Sequence, residues 1–278
     1  MSRKKAFWLS LAATLAVILP LYLIVMAARL LTPTAVQNTK TDVPLASAGV
    51  GDYKNFLLVT ENPEPVFALM RFDAVQNAVN IAFIMPETVL LQNGAPVTAA
   101  EAFSEAGPAA LAQNLTETFS VRVDNYMKIS ADELVLCTSA LGSVNMDMSR
   151  LGVIKDLTTL KKFAYNGGEG DITTASARVI LQQSDAEAHA KQTARANIYR
   201  SFFQSENADI YECCRRILSA DGILCNINAV EKEEYLRIFS FLQREDITVK
   251  CSVMPAYYEN GQYLLNSDSV LLCEEYFM

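Results

Sequence analysis

Residues 55–60 (NFLLVT), 66–72 (VFALMRF) and 78–85 (AVNIAFIM) are three short, mostly apolar runs that lie close together in the chain. Runs of this length that are rich in Val, Ile and Phe, with polar residues between them, are typical of buried β-strands. The polar segment 73–77 is short enough for a tight turn, so we expect the second and third runs to form a hairpin. The three runs therefore predict the antiparallel part of a central β-sheet.

Helical patterns alternate with further strands through the rest of the chain. Residues 98–119 place apolar side chains three or four positions apart, with Gly107 and Pro108 as an expected interruption. Ser130 followed by Glu133 has the pattern of a capping box at the start of a helix. Further helices are predicted over residues 173–182, 185–204, 209–219, 230–244 and 267–276, and further strands over 123–129 and 247–253. This interleaving predicts an α/β fold, one α-β-α domain with a central mixed β-sheet.

The amino end has the charge pattern of a membrane anchor. Arg3, Lys4 and Lys5 precede residues 6–28, which contain no charged residue, and a bilayer core needs about 20 apolar residues in a helix. Basic residues before a span predict a cytoplasmic amino end. A signal peptide cleaved after residues 25–27 (VMA) is the alternative. The predicted single-pass protein of the cell membrane has a cytoplasmic basic end (1–5), a transmembrane signal-anchor helix (6–31), a tether (32–52) and one extracytoplasmic domain (53–278).

The composition of the 278-residue chain excludes two classes of protein. A hydrophobic share of 51% with only 19% charged residues excludes a mainly disordered chain, and a net charge of −8 argues against nucleic acid as a partner. The six cysteines lie in apolar runs without zinc-like spacing, so we predict reduced core residues, with disulfides as the alternative in an oxidising exterior. The single histidine, His189, lies in a polar helical stretch and is expected on the surface.

The order of several short motifs resembles that of a known family. After NFLLVT come MRFD (70–73) and IMPET (84–88), then VDNY (123–126), LGSV (141–144), MPA (254–256) and NGQY (260–263). In this order, over roughly residues 53–278, the chain resembles the LytR-CpsA-Psr (LCP) family of bacterial cell-envelope proteins. The resemblance implies helices around a central mixed sheet. It also implies a phosphotransferase that moves an anionic glycopolymer from a polyprenyl-pyrophosphate carrier to peptidoglycan with Mg²⁺.

The resemblance also implies roles for individual residues. Arg71 and Asp73 match the family's Arg-Ser-Asp step, which implies that Arg71 binds the pyrophosphate and that Asp73 holds Mg²⁺. Arg195 matches the second of a later pair of arginines and would also bind the pyrophosphate. Glu61 and Glu87 stand at or near the family's other acidic positions and are candidate Mg²⁺ ligands. The implied catalytic set is therefore Arg71, Asp73 and Arg195, with an apolar cleft for the polyprenyl chain.

Several positions depart from the family's pattern. Gln182, Ser184 and Gln192 stand where the family has arginine. A single arginine that stabilises the transition state is worth about 10³–10⁵ in rate, so these losses predict a weak or inactive phosphotransferase. One alternative is a non-catalytic regulator or scaffold of envelope assembly that binds a polyprenyl lipid or an envelope protein. Another is an unrelated extracytoplasmic sensor or assembly domain. For Arg71 and Asp73 themselves, the alternative is an ion pair at the end of a strand.

Overall fold

The computed structural model describes residues 48–49, 51–61, 64–147, 151, 153, 169–220, 222–242 and 247–278. Residues 48–278 form one compact unit. The predicted basic end (1–5), the predicted transmembrane helix (6–31) and most of the predicted tether (32–52) lie outside the described residues. Within the described ranges, no helix combines the length and the apolar character that crossing a membrane requires.

The centre of the fold is a six-stranded mixed β-sheet. The strands of the chain are β1 (Tyr53–Glu61), β2 (Val66–Asp73), β3 (Ala78–Ile84), β4 (Val89–Gln92), β5 (Ala95–Thr98), β6 (Asn125–Ser130), β7 (Ser143–Asp147), β8 (Glu169–Thr173), β9 (Leu224–Cys225), β10 (Thr248–Val253), β11 (Ala256–Glu259) and β12 (Gln262–Leu265). The central sheet has the order β10-β3-β2-β1-β6-β9. Strands β1, β2 and β3 are antiparallel neighbours, whereas β6 runs parallel to β1 and β10 runs parallel to β3. The predicted hairpin and the predicted mixed sheet are thus confirmed.

Seven helices among the described residues cover this sheet. They are α1 (Ala99–Phe119), α2 (Ala131–Thr138), α3 (Thr174–Gln183), α4 (Ala188–Phe203), α5 (Ile210–Ser219), α6 (Ala229–Leu242) and α7 (Ser267–Phe277). Helix α1 begins at a capping box between Thr98 and Glu101, and it is kinked at Gly107, whose φ of 73° leaves the helical range. The interruption expected at this glycine is therefore confirmed. The Ser130 hydroxyl accepts the Glu133 N–H at 3.1 Å and caps α2 as expected.

The two faces of the sheet carry different helices because successive side chains of a strand point to opposite sides. On β2, Phe67 and Leu69 pack in the cluster formed with α1 and α7. Ala68 and Met70 point to the other side, where their cluster includes residues of α3, α4, α5 and α6. We call these sides the α1/α7 face and the α4/α6 face. The core of the protein is therefore two apolar layers separated by the sheet.

Three small two-stranded sheets were not predicted from the sequence. They are β4–β5, β7–β8 and β11–β12. Their strands are only four or five residues long, too short for a clear alternation of apolar and polar residues. Two of them did carry a local signal, because Asn-Gly is a favoured tight turn. Asn93 and Gly94 join β4 to β5 with φ of 53° and 78°, and Asn260 and Gly261 join β11 to β12 with φ of 50° and 84°.

The six cysteines are free thiols. All but Cys225 are buried, which agrees with their predicted place in the core. Burial in apolar surroundings raises the pKa of Cys251 and of Cys273 to about 12. These thiols therefore stay protonated in the folded protein well above neutral pH.

Candidate functional site

Arg71 is buried in β2 on the α1/α7 face, and its side chain is held by the protein itself. Its Nε and one terminal nitrogen each donate to Asp73 Oδ2 at 3.1 Å. The other terminal nitrogen donates to the backbone carbonyl oxygen of Phe277 at 2.8 Å. The Tyr53 ring covers the guanidinium, with its centroid 4.0 Å from the central carbon. This arginine is 5% exposed, so its charge is neutralised and enclosed within the fold.

Both carboxylate oxygens of Asp73 accept hydrogen bonds from the protein. Its Oδ2 accepts the two bonds from Arg71, and its Oδ1 accepts the backbone N–H groups of Val75 and Gln76 at 3.0 and 2.9 Å. The side chain thereby closes the turn between β2 and β3, a common role for aspartate. Only 2% of the residue is exposed, so its oxygens are directed into the protein.

Arg71 belongs to a polar row that crosses three strands. Asn55 of β1 lies opposite Arg71, and Arg71 lies opposite Asn80 of β3. The Asn80 amide donates to the carbonyl of Tyr276 at 2.9 Å, and the Asn55 amide donates to that of Phe277 at 3.3 Å. These carbonyls belong to the last turn of α7, which leaves acceptors without helical partners and carries partial negative charge. The row therefore fixes the end of α7 to the sheet.

Glu61 and Glu87 lie at the edge of the sheet opposite Asp73. Asp73 pairs with Tyr53 at the start of β1, whereas Glu61 ends that strand, so the two carboxylates are separated by eight residues, roughly 26 Å of strand. Glu61 is paired with Lys128 at 3.2 Å. Glu87 follows β3 and is exposed, and its backbone carbonyl accepts the N–H of Tyr263.

This separation bears on the magnesium ion that the family resemblance implies. Asp73 has both oxygens occupied, and neither Glu61 nor Glu87 can reach it. Throughout the part of the chain that the structure describes, no three His, Cys, Asp or Glu side chains gather as metal ligands. The residues present do not fit a shared Mg²⁺ site.

Arg195 lies on the opposite side of the sheet from Arg71. It is a half-buried residue of α4 and contacts an apolar cavity on the α4/α6 face. Its guanidinium donates a hydrogen bond to the side-chain oxygen of Gln192, one turn earlier. No carboxylate of the described residues lies within ion-pair distance of it. Burial lowers the pKa of Arg195, while the nearby Tyr199 and Glu64 act in the opposite direction.

The cavity beside Arg195 has two adjoining parts. The inner part contains about 540 Å³ of empty space and the outer part about 390 Å³, each including its opening. Both parts are lined by Leu58, Met70, Leu134 and Tyr199, so they are neighbours on the same face of the sheet. The sheet provides one wall, and α2, α4, α5 and α6 provide the others.

The lining of the cavity is apolar apart from its outer end. Arg195 is the one charged residue among those described around it. Burial raises the pKa of Tyr199 to about 12, so its phenol is neutral and remains a hydrogen-bond donor. The arrangement suits a ligand with a long apolar chain and one anionic end.

The sequence-predicted set is thus divided between two places. Arg71 and Asp73 are together, but Arg195 is separated from them by the sheet. Tyr199 was not predicted from the sequence, although Gln192, Arg195 and Tyr199 are spaced at i, i+3 and i+7. That spacing puts them on one face of a helix and was the available signal.

No protein-family model matches the chain, and no curated protein matches it either. Several solved structures share its fold. Bacillus subtilis TagT is 13% identical, with a TM-score of 0.61, and the match covers 83% of this chain and 94% of TagT. A putative transcription regulator from Eubacterium siraeum is 13% identical, with a TM-score of 0.65 and coverage of 83% and 93%. The chain therefore has an LCP-like fold, as TagT does.

Proposed function

We propose that the chain is a membrane-anchored, extracytoplasmic protein of the cell envelope that binds the lipid end of a polyprenyl-linked glycopolymer precursor without catalysing its transfer. The observation that carries this proposal is the apolar cavity with Arg195 at its outer end. The apolar lining would take the prenyl chain, and the guanidinium would bind the phosphate. Residues 6–31 would hold the domain at the membrane that contains such lipids.

The physical chemistry of the cavity supports binding. Burying a methylene contributes about 0.8 kcal/mol when the chain is taken from water, so the apolar lining favours an apolar chain over a polar one. A guanidinium binds phosphate oxygens through two parallel hydrogen bonds, which are stronger in apolar surroundings than in water. Arg195 lacks a carboxylate partner among the described residues, and its charge would be satisfied by an anionic ligand.

The polar groups available do not favour transfer. Moving a phosphoryl group requires several cations around the reacting oxygens, so that the developing charge is stabilised. Arg71 and Asp73 are engaged in holding α7 and the turn after β2. Arg195 would act alone. A site with one guanidinium and no gathered carboxylates is better suited to recognition than to catalysis.

A phosphotransferase remains the second candidate because of the shared fold. TagT, with which the chain shares its LCP-like fold, has been solved bound to LIIa-WTA, in a structure to which this chain is 12% identical with a TM-score of 0.61. Activity in this chain would have to use groups other than Arg71 and Asp73.

Binding is tested with the full chain in lipid nanodiscs and farnesyl pyrophosphate as the probe, with empty nanodiscs as the blank. We expect saturable binding that Arg195→Gln weakens at least tenfold. The matched control is Arg215→Gln, which removes a charge from the solvent-exposed side of α5 and should leave affinity unchanged. Equal affinity for all three proteins, or no binding, would exclude the proposal. With Mg²⁺ and a hydroxyl acceptor added, cleavage of the P–O–P bond of the probe to give farnesyl phosphate and a phosphorylated acceptor would instead select the second candidate.

A further inference from the structure

Three aromatic rings lie together where the β11–β12 hairpin meets the start of α4. Tyr258 of β11 and Tyr263 of β12 are paired across the hairpin, with ring centroids 4.9 Å apart and an angle of 53° between the rings. The His189 ring stacks on Tyr263, with centroids 6.1 Å apart. We call these three residues the aromatic row.

Core packing does not account for the aromatic row. Tyr258 is 65% exposed, His189 is exposed and Tyr263 is half-buried. None of the three belongs to the apolar layers on the two faces of the sheet. Exposed tyrosines are typical of binding surfaces, because a rigid ring gives a large contact area at a small cost in conformational entropy. The aromatic row is therefore a candidate binding surface.

Two carboxylates border the aromatic row. Glu87 lies beside Tyr263, because the N–H of Tyr263 donates to the Glu87 carbonyl oxygen at 3.1 Å. Glu187 precedes α4, two positions before His189, and its side chain makes no capping hydrogen bond. Both glutamates are exposed, and neither forms an ion pair with a basic residue in the described part of the chain. This surface therefore carries two negative charges that no described cation balances.

The charges of both glutamates reach the phenol of Tyr263. Burial raises the pKa of Tyr263, and Glu87, the Tyr258 phenol and Glu187 raise it further. Electrostatic effects of this kind decrease with distance, so they agree with the placement of both carboxylates next to the row. A cation at this surface would be attracted by the carboxylates and by the faces of the rings, whereas an anion would be repelled.

Ring faces combined with carboxylates favour a lysine side chain as the ligand. Its four-carbon apolar stem packs on an aromatic face, and its ammonium group is attracted by both the ring and a carboxylate. A neutral sugar would also pack on the rings, but it would leave the charges of both glutamates unbalanced. An anionic lipid headgroup or phosphate would be repelled by them.

We propose that the aromatic row, together with Glu87 and Glu187, binds a lysine side chain of a polypeptide partner. This site goes beyond the proposed function, because none of its residues lines the cavity on the α4/α6 face. Its ligand is cationic, whereas the ligand proposed for the cavity is anionic. We therefore expect the two sites to be occupied independently.

The test uses two probes that differ in charge, Nα-acetyl-lysine methylamide and the same molecule acetylated on its Nε atom. The full chain is held in phosphatidylcholine nanodiscs, which carry no net charge, and empty nanodiscs are the blank for ligand-observed NMR titrations. We expect saturable binding of the charged probe and about fivefold weaker binding of the neutral probe, because acetylation removes the charge and keeps the apolar stem. Equal affinities, or no binding of the charged probe, would overturn the proposal. Glucosamine carries an ammonium group on a polar ring, and tighter binding of glucosamine would overturn the assignment to lysine.

Substitutions of tyrosine locate the site on the hairpin. Tyr258→Leu removes the aromatic face and keeps an apolar side chain, so we expect binding of the charged probe to weaken about threefold. Tyr257→Leu is the matched control, because Tyr257 is 51% exposed and points to the opposite face of the same strand. Equal losses in the two variants, or no loss in Tyr258→Leu, would show that the aromatic row is not the site.

Substitutions of glutamate test the contribution of charge. Glu87→Gln and Glu187→Gln should each weaken binding of the charged probe about threefold, because each removes one negative charge beside the rings. Glu274→Gln removes a charge from the exposed side of α7 and should leave affinity unchanged. Equal effects of all three substitutions would mean that only the net charge of the protein matters, which would also overturn the proposal. The comparison of the two lysine probes on the unaltered chain decides the matter independently if a variant folds poorly.

Discussion

Arg71 of β2 donates a hydrogen bond to the carbonyl oxygen of Phe277, the last residue of α7, across 206 positions of sequence. The same guanidinium is paired with Asp73 and covered by the Tyr53 ring. In the family resemblance this arginine would bind a pyrophosphate. In the folded chain its donors serve the end of a helix, which makes its contribution one of stability.

Arg71→Met should therefore destabilise the protein without altering the cavity. Removing one member of a buried ion pair leaves the other uncompensated, which costs about 3–5 kcal/mol in the free energy of unfolding. Arg215→Met is the control, because Arg215 is exposed and its ion pair, which solvent screens, should contribute little to the free energy of unfolding. Chemical unfolding of the full chain measures both. Unchanged stability together with lost binding of farnesyl pyrophosphate would reverse this assignment.

Arg195→Met should weaken ligand binding and stabilise the ligand-free protein, whereas Arg71→Met should lower stability and leave the cavity unaltered. The half-buried guanidinium has no carboxylate partner among the described residues, and burial lowers its pKa, so its charge is a cost to the ligand-free fold. We expect the variant to gain about 1 kcal/mol in the free energy of unfolding and to lose at least tenfold in affinity for farnesyl pyrophosphate. Thermal unfolding measures the expected gain in stability, and a binding titration measures the expected loss of affinity. A variant that is both less stable and fully able to bind would refute the interpretation.

Ala68→Leu should block the outer part of the cavity. Ala68 lines it from β2, and the larger side chain would occupy space that the ligand needs. We expect binding to weaken at least tenfold, while stability stays level or rises because a void is filled. Ala109→Leu adds the same atoms to the exposed side of α1 and serves as the control. If both variants bind like the wild type, the ligand does not occupy this cavity.

The buried thiols should make stability fall at alkaline pH. Burial raises the pKa of Cys251 and Cys273 to about 12 in the folded protein, whereas an unfolded thiol has a pKa of about 8.5. Above about pH 9 the unfolded chain releases these protons and the folded chain keeps them, so the free energy of unfolding decreases as pH rises towards 12. Below pH 8 these thiols should have no such effect.

Urea unfolding of the wild type and of a Cys251→Ala/Cys273→Ala variant at pH 7.5, 9 and 10 checks this. The variant loses packing at every pH, but its stability should decline less steeply between pH 9 and 10. If the free energy of unfolding declines equally steeply with pH in the two proteins, groups other than Cys251 and Cys273 cause the loss of stability at alkaline pH.

The elements that the sequence predicted correctly have clear local patterns. Strands β1, β2 and β3 are compact apolar runs, and α1 has both an apolar face and a Gly-Pro interruption. The pairing of Arg71 with Asp73 was also within reach as the strand-end alternative, because residues two apart on a strand share a face. The polar row with Asn55 and Asn80 could not be predicted from the sequence. It depends on the register of three strands and on a helix that ends about 200 residues later.

The cavity could not be predicted from the sequence for a related reason. Its lining residues look like ordinary core residues, and only the packing of α4, α5 and α6 over β1 and β2 leaves a space between them. Arg195 was identified through the family resemblance, but its side of the sheet relative to Arg71 depends on how α4 crosses the sheet. Local sequence patterns specify helices and strands, whereas a cavity depends on how those helices and strands pack against each other.

The alternation of side chains along β2 has an evolutionary consequence. Odd-numbered positions from Phe67 to Asp73 build the layer that anchors α7, and even-numbered positions such as Ala68 and Met70 line the cavity. Substitutions at even positions would change the lining of the cavity while the layer that anchors α7 stays the same. Under the proposed function, a lineage that carries this domain would exchange one amphiphile for another through mutations at the even-numbered positions of β2 alone.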